Sequence, residues 1–283
     1  MISAVVNTLN EAANIEYCLE SLRWCDEIIV VDMESDDDTV AIAGNYTDRI
    51  MTVPRCGYVE PARKAGGDAA LGDWILVIDA DEVVPVSLAR RLRQIAASDE
   101  CDAVEIPVKN FILGEWIRHT GWGDASCLRF FRKNSVAFSD VIHHGINPVS
   151  TARVVRLEPS DEHWLYHFNY LDSEHFVAKL NRYTNFEVDS LLRRGVTFSV
   201  MGMLYAGVHE FYSRYVRQRG YRDGRHGLVL SLLMAFYHLL SHIKLWERHL
   251  WLSRPVQAEY DAIRRELLEM HRRERLGGSG KDG

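Results

Sequence analysis

The 283-residue sequence contains no CxxC pair: its five cysteines, Cys18, Cys25, Cys56, Cys101 and Cys127, are scattered and odd in number. That distribution suits buried fillers in a reducing compartment, not a disulfide framework. An excess of basic charge is missing too. With 33 Lys and Arg against 40 Asp and Glu, the net charge is -7, which argues against a general nucleic-acid binder. The first residues form an apolar run without the charged region and hydrophobic core of an export signal, so the cytoplasm is the expected compartment. The longest apolar run, GLVLSLLMAFYHLL from Gly227 to Leu240, is interrupted by Ser231 and His238. It falls short of the roughly 20 residues that a spanning helix needs, so a buried or interfacial helix is expected. No internal repeat is visible.

What is present is the composition of a folded protein, 47% apolar and 26% charged, long enough to bury a large core. The run ISAVVNTLN is followed by EAANIEYCLESL, where Ile15, Leu19 and Leu22 recur at helical spacing. The pattern then repeats. An apolar strand at residues 28–31 leads through an acidic loop to a helix from about Asp38 to Gly44, and a third unit ends in DWILVIDADE and the helix PVSLARRLRQIAAS. Alternating units with apolar strands predict a parallel sheet covered on both faces, with ligands at the carboxyl ends of the strands. After about Asp102, short aromatic segments predict strands of a mixed sheet edge. From Ser173 onward the texture is helical, and the stripe Val256, Tyr260, Ile263, Leu267 and Met270 predicts a final helix packed on something.

The stretch LVIDADEVVP poses the chemical question. An apolar strand runs straight into Asp79, Asp81 and Glu82, although clustered carboxylates repel and resist desolvation. A positive partner is therefore expected. Two acids one residue apart can be turned onto a single divalent cation, and magnesium or manganese in such a site keeps a substrate phosphate in its shell. The ordinary alternative is a solvated acidic loop. The acids Asp36 to Asp38 are expected to cap the following helix.

Four segments, VVNTLNEAANIEYCLESL, DEIIVVDMESDDDTVAIA, ARKAGGDAALGDW and LVIDADE, in that order resemble family 2 glycosyltransferases of the GT-A fold. The later FILGEWIRHTGWGDASCLRFFRK and HFVAKLNRYTNFE are similar to the subgroup containing lipopolysaccharide-core β-glucosyltransferases. The resemblance implies an α/β, Rossmann-like, mostly parallel sheet flanked by helices over residues 1–172. It also implies a helical C-terminal region over 173–275, with a membrane-interfacial face as one reading, and a disordered tail over 276–283. The implied activity is inverting, metal-dependent transfer of a hexose from a nucleotide diphosphate sugar, with UDP as the default, to a hydroxyl of a cell-envelope glycan or lipid-linked acceptor. Mn²⁺ or Mg²⁺ would be the cofactor. The rivals are a polyprenyl-phosphate sugar synthase and a non-catalytic nucleotide-binding protein of envelope assembly.

The resemblance also implies roles. Thr8 and Glu11 line the nucleotide pocket, Asp32 contacts base or ribose, and Arg63 lies near base and diphosphate, with Lys64 where the family usually has Asn. Asp79 faces the ribose, Asp81 binds the metal, and His167 is a further candidate ligand. The general base is expected at Asp124, although relatives read Gly-Trp-x-Pro-Asp and this chain reads GWGDASCLRFF, without Pro and with the Asp one residue early. A surface-turn Asp is the alternative. His143 falls where relatives have His-Glu, but His144 follows it; either is a metal ligand, an acceptor contact or a structural histidine. Trp116, Trp122 and Trp164 either stack on sugar rings or pack in the core. Five arginines between Arg214 and Arg225, beside the apolar helix, read either as a grip on anionic lipid headgroups or as a solvated arm.

Overall fold

The computed structural model describes residues 1–55, 58–138, 145–253 and 255–278. Three strand–helix units open the chain: β1 (Ile2–Thr8) and α1 (Ile15–Ser21), β2 (Glu27–Asp32) and α2 (Thr39–Ala43), then β3 (Ile50–Thr52) and α3 (Glu60–Ala69). There follow β4 (Trp74–Asp79), β5 (Glu82–Val83), α4 (Val86–Ala97), β6 (Ala103–Ile112), β7 (Glu115–Trp116), β8 (Ser126–Arg132), β9 (Val136–Phe138), β10 (Ile146–Pro148), β11 (Val154–Arg156) and β12 (Leu165–Tyr170). Four long helices finish the chain: α5 (Ser173–Arg193), α6 (Val200–Tyr212), α7 (Gly224–Ser253) and α8 (Val256–Gly278).

The main sheet runs β3-β2-β1-β4-β8-β6-β12-β5, with β7 and β11 pairing on β6. Its N-terminal half is parallel, as the apolar runs require: every residue of β1 is buried, because helices cover both faces. The aromatic segments after Asp102 do not form a sheet edge. Strands β8 and β6 lie inside the sheet, β8 antiparallel to β4 on one side and to β6 on the other, and Phe130 and Phe131 are fully buried, one on each face. One core gathers Val6, Leu19, Leu76, Leu88 and Phe130; a second, on the opposite face, gathers Val5, Val31, Val77 and Phe131.

Helix α3 lies unusually close to the sheet. A Cβ on Gly66 would come within 2.2 Å of Val5 Cγ1 and 2.8 Å of Val31 Cγ2, so only glycine permits the approach that seats Arg63 one turn earlier. Of the acids expected to cap α2, only Asp37 binds a backbone N–H of the helix, that of Thr39 at 3.0 Å, and it also accepts the Ala12 N–H of the neighbouring loop at 3.1 Å; the N-cap residue Asp38 makes no side-chain cap bond, and Asp36 accepts from the Asn10 side chain.

At the C-terminus the helices run farther than the sequence patterns indicate. The apolar run is part of a 30-residue helix, α7, and the span Gly220–Leu250, in which an 18-residue window has mean hydropathy 1.6, is long and apolar enough to cross a membrane by length and composition only. Helix α8 continues to Gly278 across part of the expected tail, and its stripe is not packed: Tyr260, Ile263, Leu267 and Met270 are each more than half exposed.

Substituting Gly66→Ala is expected to lower stability by about 1–3 kcal/mol through overpacking against stiff, β-branched neighbours. Urea denaturation checks it; an unchanged midpoint would mean that α3 sits farther out.

Candidate active site

Three strand ends build one rim. Thr8 ends β1, Asp32 ends β2 and Asp79 ends β4, with Thr8 in register with Asp32 and Asn7 with Asp79. A cleft of about 1100 Å³ opens beside them, walled by Asn7, Glu11, Arg63, Asp79 and Asp81 on one side and by Lys179 and Arg182 of α5 on the other.

The acids divide into two groups. The Asp79 N–H donates to Glu82 Oε2 at 2.8 Å, which closes the turn. The Asp79 carboxylate receives Arg63 Nη2 at 2.7 and 3.0 Å and Arg129 Nη2 at 2.7 Å, while Arg129 Nη2 also reaches Glu82 Oε1 at 2.6 Å. Asp81 has different partners. His167 Nε2 lies 3.4 Å and Lys179 Nζ 3.6 Å from its Oδ2. His167 Nδ1 is 3.0 Å from Asn110 Oδ1, which only accepts, so Nδ1 carries a proton and Nε2 is the atom turned to Asp81.

Electrostatics follow from this division. Burial opposes ionisation of Asp79, but the Arg129 and Arg63 guanidiniums overcome it and hold the carboxyl far below its ordinary range. For Asp81, burial is likewise outweighed, by His167 and then Lys179. Burial dominates at Glu82, which is raised despite Arg129, and at Glu11, which is raised by burial and by repulsion from Asp81. His167 would be lowered by burial alone; the adjoining Asp81 carboxylate raises it above 6.5.

The cleft therefore gathers Glu11, Arg63, Asp79, Asp81 and His167 from among the residues singled out in the sequence. Thr8 is buried at the same rim, and its Oγ1 has no hydrogen-bond partner among the described residues. Asp32 is buried and accepts the Ser35 N–H at 3.1 Å, outside the cleft lining. Asp124 is exposed on the turn before β8, and Trp122 lies under Arg214 at 4.6 Å; neither lines the cleft. Trp164 is buried and meets Trp116 edge-on at 5.8 Å, which is core packing. His143 and His144 lie outside the described residues.

The model of the family described as Glycosyl transferase family 2 matches residues 3–156, which include all three strand ends and the acidic turn. The chain belongs to that family. It is 28% identical over 262 residues to the lipopolysaccharide core biosynthesis glycosyltransferase LpsC of Rhizobium meliloti, across 90% of this chain and 95% of the relative. An uncharacterized glycosyltransferase of Rickettsia bellii is 30% identical over 259 residues, across 87% and 86% of the two chains. Among solved structures, S. aureus TarS in complex with UDP aligns at 17% identity with a TM-score of 0.45, covering 79% of this chain and 75% of that one. The sheet, with its flanking helices and helical C-terminal region, is the GT-A arrangement of the family.

Four residues of this glycosyltransferase's site escaped the sequence reading: Glu82 as a buried ion-pair partner, Asn110, Arg129 and Lys179. A signal existed for Arg129. It is the one charge inside the apolar segment CLRFF, which has no reason to carry a cation unless an anion lies opposite. Arg129→Met is expected to cost about 3–5 kcal/mol at neutral pH, since buried Glu82 loses its counter-ion and Asp79 one of its two. The Asp79 carboxyl titrates below its unfolded value of 3.8, so its ion-pair contribution is complete above that value and is lost as pH falls below it. The stability gap between wild type and variant, measured by urea titration, should therefore narrow on acidification; a gap independent of pH would contradict the assignment.

Proposed function

We propose that this family 2 glycosyltransferase is an inverting, metal-dependent hexosyltransferase, taking sugar from a UDP-sugar to a hydroxyl of a cell-envelope glycan or lipid-linked acceptor at the inner face of the cytoplasmic membrane. One observation carries the reading. Asp81 and His167 Nε2 lie 3.4 Å apart at the cleft wall, and Asn110 fixes the imidazole so that Nε2 points inward. That pair fits a divalent ion held by few protein ligands. Among the described residues no group of three or more His, Cys, Asp or Glu forms a ready cage, which leaves most of the coordination shell to donor phosphates. Mn²⁺ or Mg²⁺ bound there would neutralise charge on the departing diphosphate.

The protein's own groups do the rest. Thr8, Glu11, Asp32 and Asp79 are assigned to the nucleotide, Glu11 and Asp79 from the cleft wall and Thr8 and Asp32 from the strand ends beside it. Arg63 lines the cleft beside Asp79, and Lys179 and Arg182 add positive charge from α5. Asp124 is assigned as the base that accepts the acceptor's hydroxyl proton, from an exposed turn outside the cleft lining. Trp122 is assigned to the acceptor side. The similarity to LpsC, a lipopolysaccharide core biosynthesis glycosyltransferase, supports an envelope acceptor.

Asp81→Ala is expected to cut UDP release from a UDP-sugar in the presence of manganese by roughly a hundredfold or more, with the fold retained by circular dichroism. Normal turnover would remove the metal argument. Asp124→Asn is expected to lower transfer to a hydroxyl acceptor by about 10²-fold or more. Full turnover would favour the polyprenyl-phosphate sugar synthase, whose phosphate acceptor needs no base. Absence of UDP release from every donor tried would favour a nucleotide-binding protein without catalysis.

A further inference from the structure

The helical region carries a surface that the cleft does not use. On α6, Met201, Leu204, Tyr205, Val208 and Tyr212 recur at helical spacing, and all are between 48% and 75% exposed. On the neighbouring α7, Leu228, Leu232, Phe236, Ile243 and Trp246 form a second exposed stripe, between 40% and 54% exposed. The helices are packed tightly: a Cβ on Gly207 would lie 2.8 Å from Leu239 Cδ2. The α6 stripe alone extends about 16 Å along the helix, and contiguous exposed apolar side chains of this kind mark interaction surfaces.

The turn joining these helices is cationic. Arg217, Arg219, Arg222 and Arg225 are exposed, and among the described residues none has a carboxylate partner. The nearest acid in the sequence, Asp223, is committed elsewhere: it accepts the N–H groups of Arg118 and His119 at 3.2 and 3.0 Å and the Thr120 hydroxyl at 2.7 Å.

We infer that the exposed faces of α6 and α7, with the arginine turn between them, form a docking surface for an anionic phospholipid bilayer, lying in the interface without crossing it. Apolar stripes enter the acyl boundary, exposed Tyr205, Tyr212 and Tyr221 sit at headgroup depth, and the four guanidiniums meet lipid phosphates. The charge selects this partner. A second copy of the chain would place like guanidiniums near one another, whereas anionic headgroups complement them. Helix α7 does not leave the protein to span: Lys244 Nζ is bound to Asn181 O, Asn181 Oδ1, Thr184 Oγ1 and Asn185 Oδ1 of α5 at 2.6 to 2.8 Å, and α5 also supplies Lys179 and Arg182 to the cleft.

The turn is also strapped to the catalytic half. Besides Asp223, Arg214 Nη1 donates to Thr120 O at 2.8 Å and the Thr120 N–H donates to Gln218 O at 3.2 Å. Gly121 follows at φ +87°, where a Cβ would strike Gln218 Oε1 at 2.3 Å. Trp122 and Asp124 come next. Docking therefore fixes the loop that the proposed function assigns to the acceptor; this last step rests on that reading, the docking itself does not.

The test is sedimentation of the full chain with vesicles of phosphatidylcholine, alone or mixed with phosphatidylglycerol. Binding is expected to the mixed vesicles, to weaken with salt, and to fall roughly fivefold for each of Arg217, Arg219, Arg222 and Arg225 changed to Ala. The triple variant Met201→Ser, Tyr205→Ser, Val208→Ser is expected to release the chain from both vesicle types with its melting temperature retained. Equal binding to neutral and mixed vesicles, or none to either, overturns the proposal. So does a dimer in analytical ultracentrifugation that Val208→Asp dissociates, which would make the face a self-interface. UDP release in vesicle-free buffer reads the transferase assignment separately.

Discussion

The guanidinium of Arg129, buried between Asp79 and Glu82, makes it possible for the central strand to end in acids. Without it, the buried Glu82 carboxylate would have no counter-ion and would lie beside Asp79 with Arg63 as the one guanidinium left at the turn. Arg129 reaches them from β8, the strand hydrogen-bonded to β4. The antiparallel half of the sheet therefore serves the parallel half: its place beside β4 brings the cation to the site.

This arrangement leaves Asp81 as the acid with exchangeable partners. Asp79 and Glu82 are held by short, charge-assisted contacts, whereas Asp81 meets an imidazole and an ammonium at 3.4 and 3.6 Å, longer than well-formed hydrogen bonds. With the divalent ion proposed above, a cation of higher charge would take the place of the positive charge that His167 and Lys179 bring to Asp81. Glu11, driven upward by burial and by Asp81 itself, marks the same corner as over-supplied with negative charge. The site is permanently neutralised on one side and provisionally on the other.

The strand–helix units were legible because their signals are local: apolar runs for β1, β2 and β4, helical spacing in α1 and α4, and acids that hold the loop before α2. The position of β8 and β6 inside the sheet was not, since strand order depends on long-range pairing that no window of residues reports. The need for positive charge beside LVIDADE followed from the acids, but the identities of Arg129 and Lys179, 50 and 100 residues away, required the fold. The length of α7 was underestimated because Lys244, which interrupts the apolar pattern, is satisfied by α5 and does not end the helix. The unpacked stripe of α8 shows the opposite limit: amphipathic spacing says that a face seeks a cover, and not what supplies it.

The hydrogen bonds of Asp223 to residues 118–120 join the arginine turn to the segment bearing Trp122 and Asp124 through a few short, directional contacts. With the docking inferred above, such a strap acts as a ruler. The height of the reacting centre over the lipid phosphates becomes a property of the fold, so acceptors would be graded by how far their free hydroxyl stands out from the membrane, before any sugar-specific contact is made.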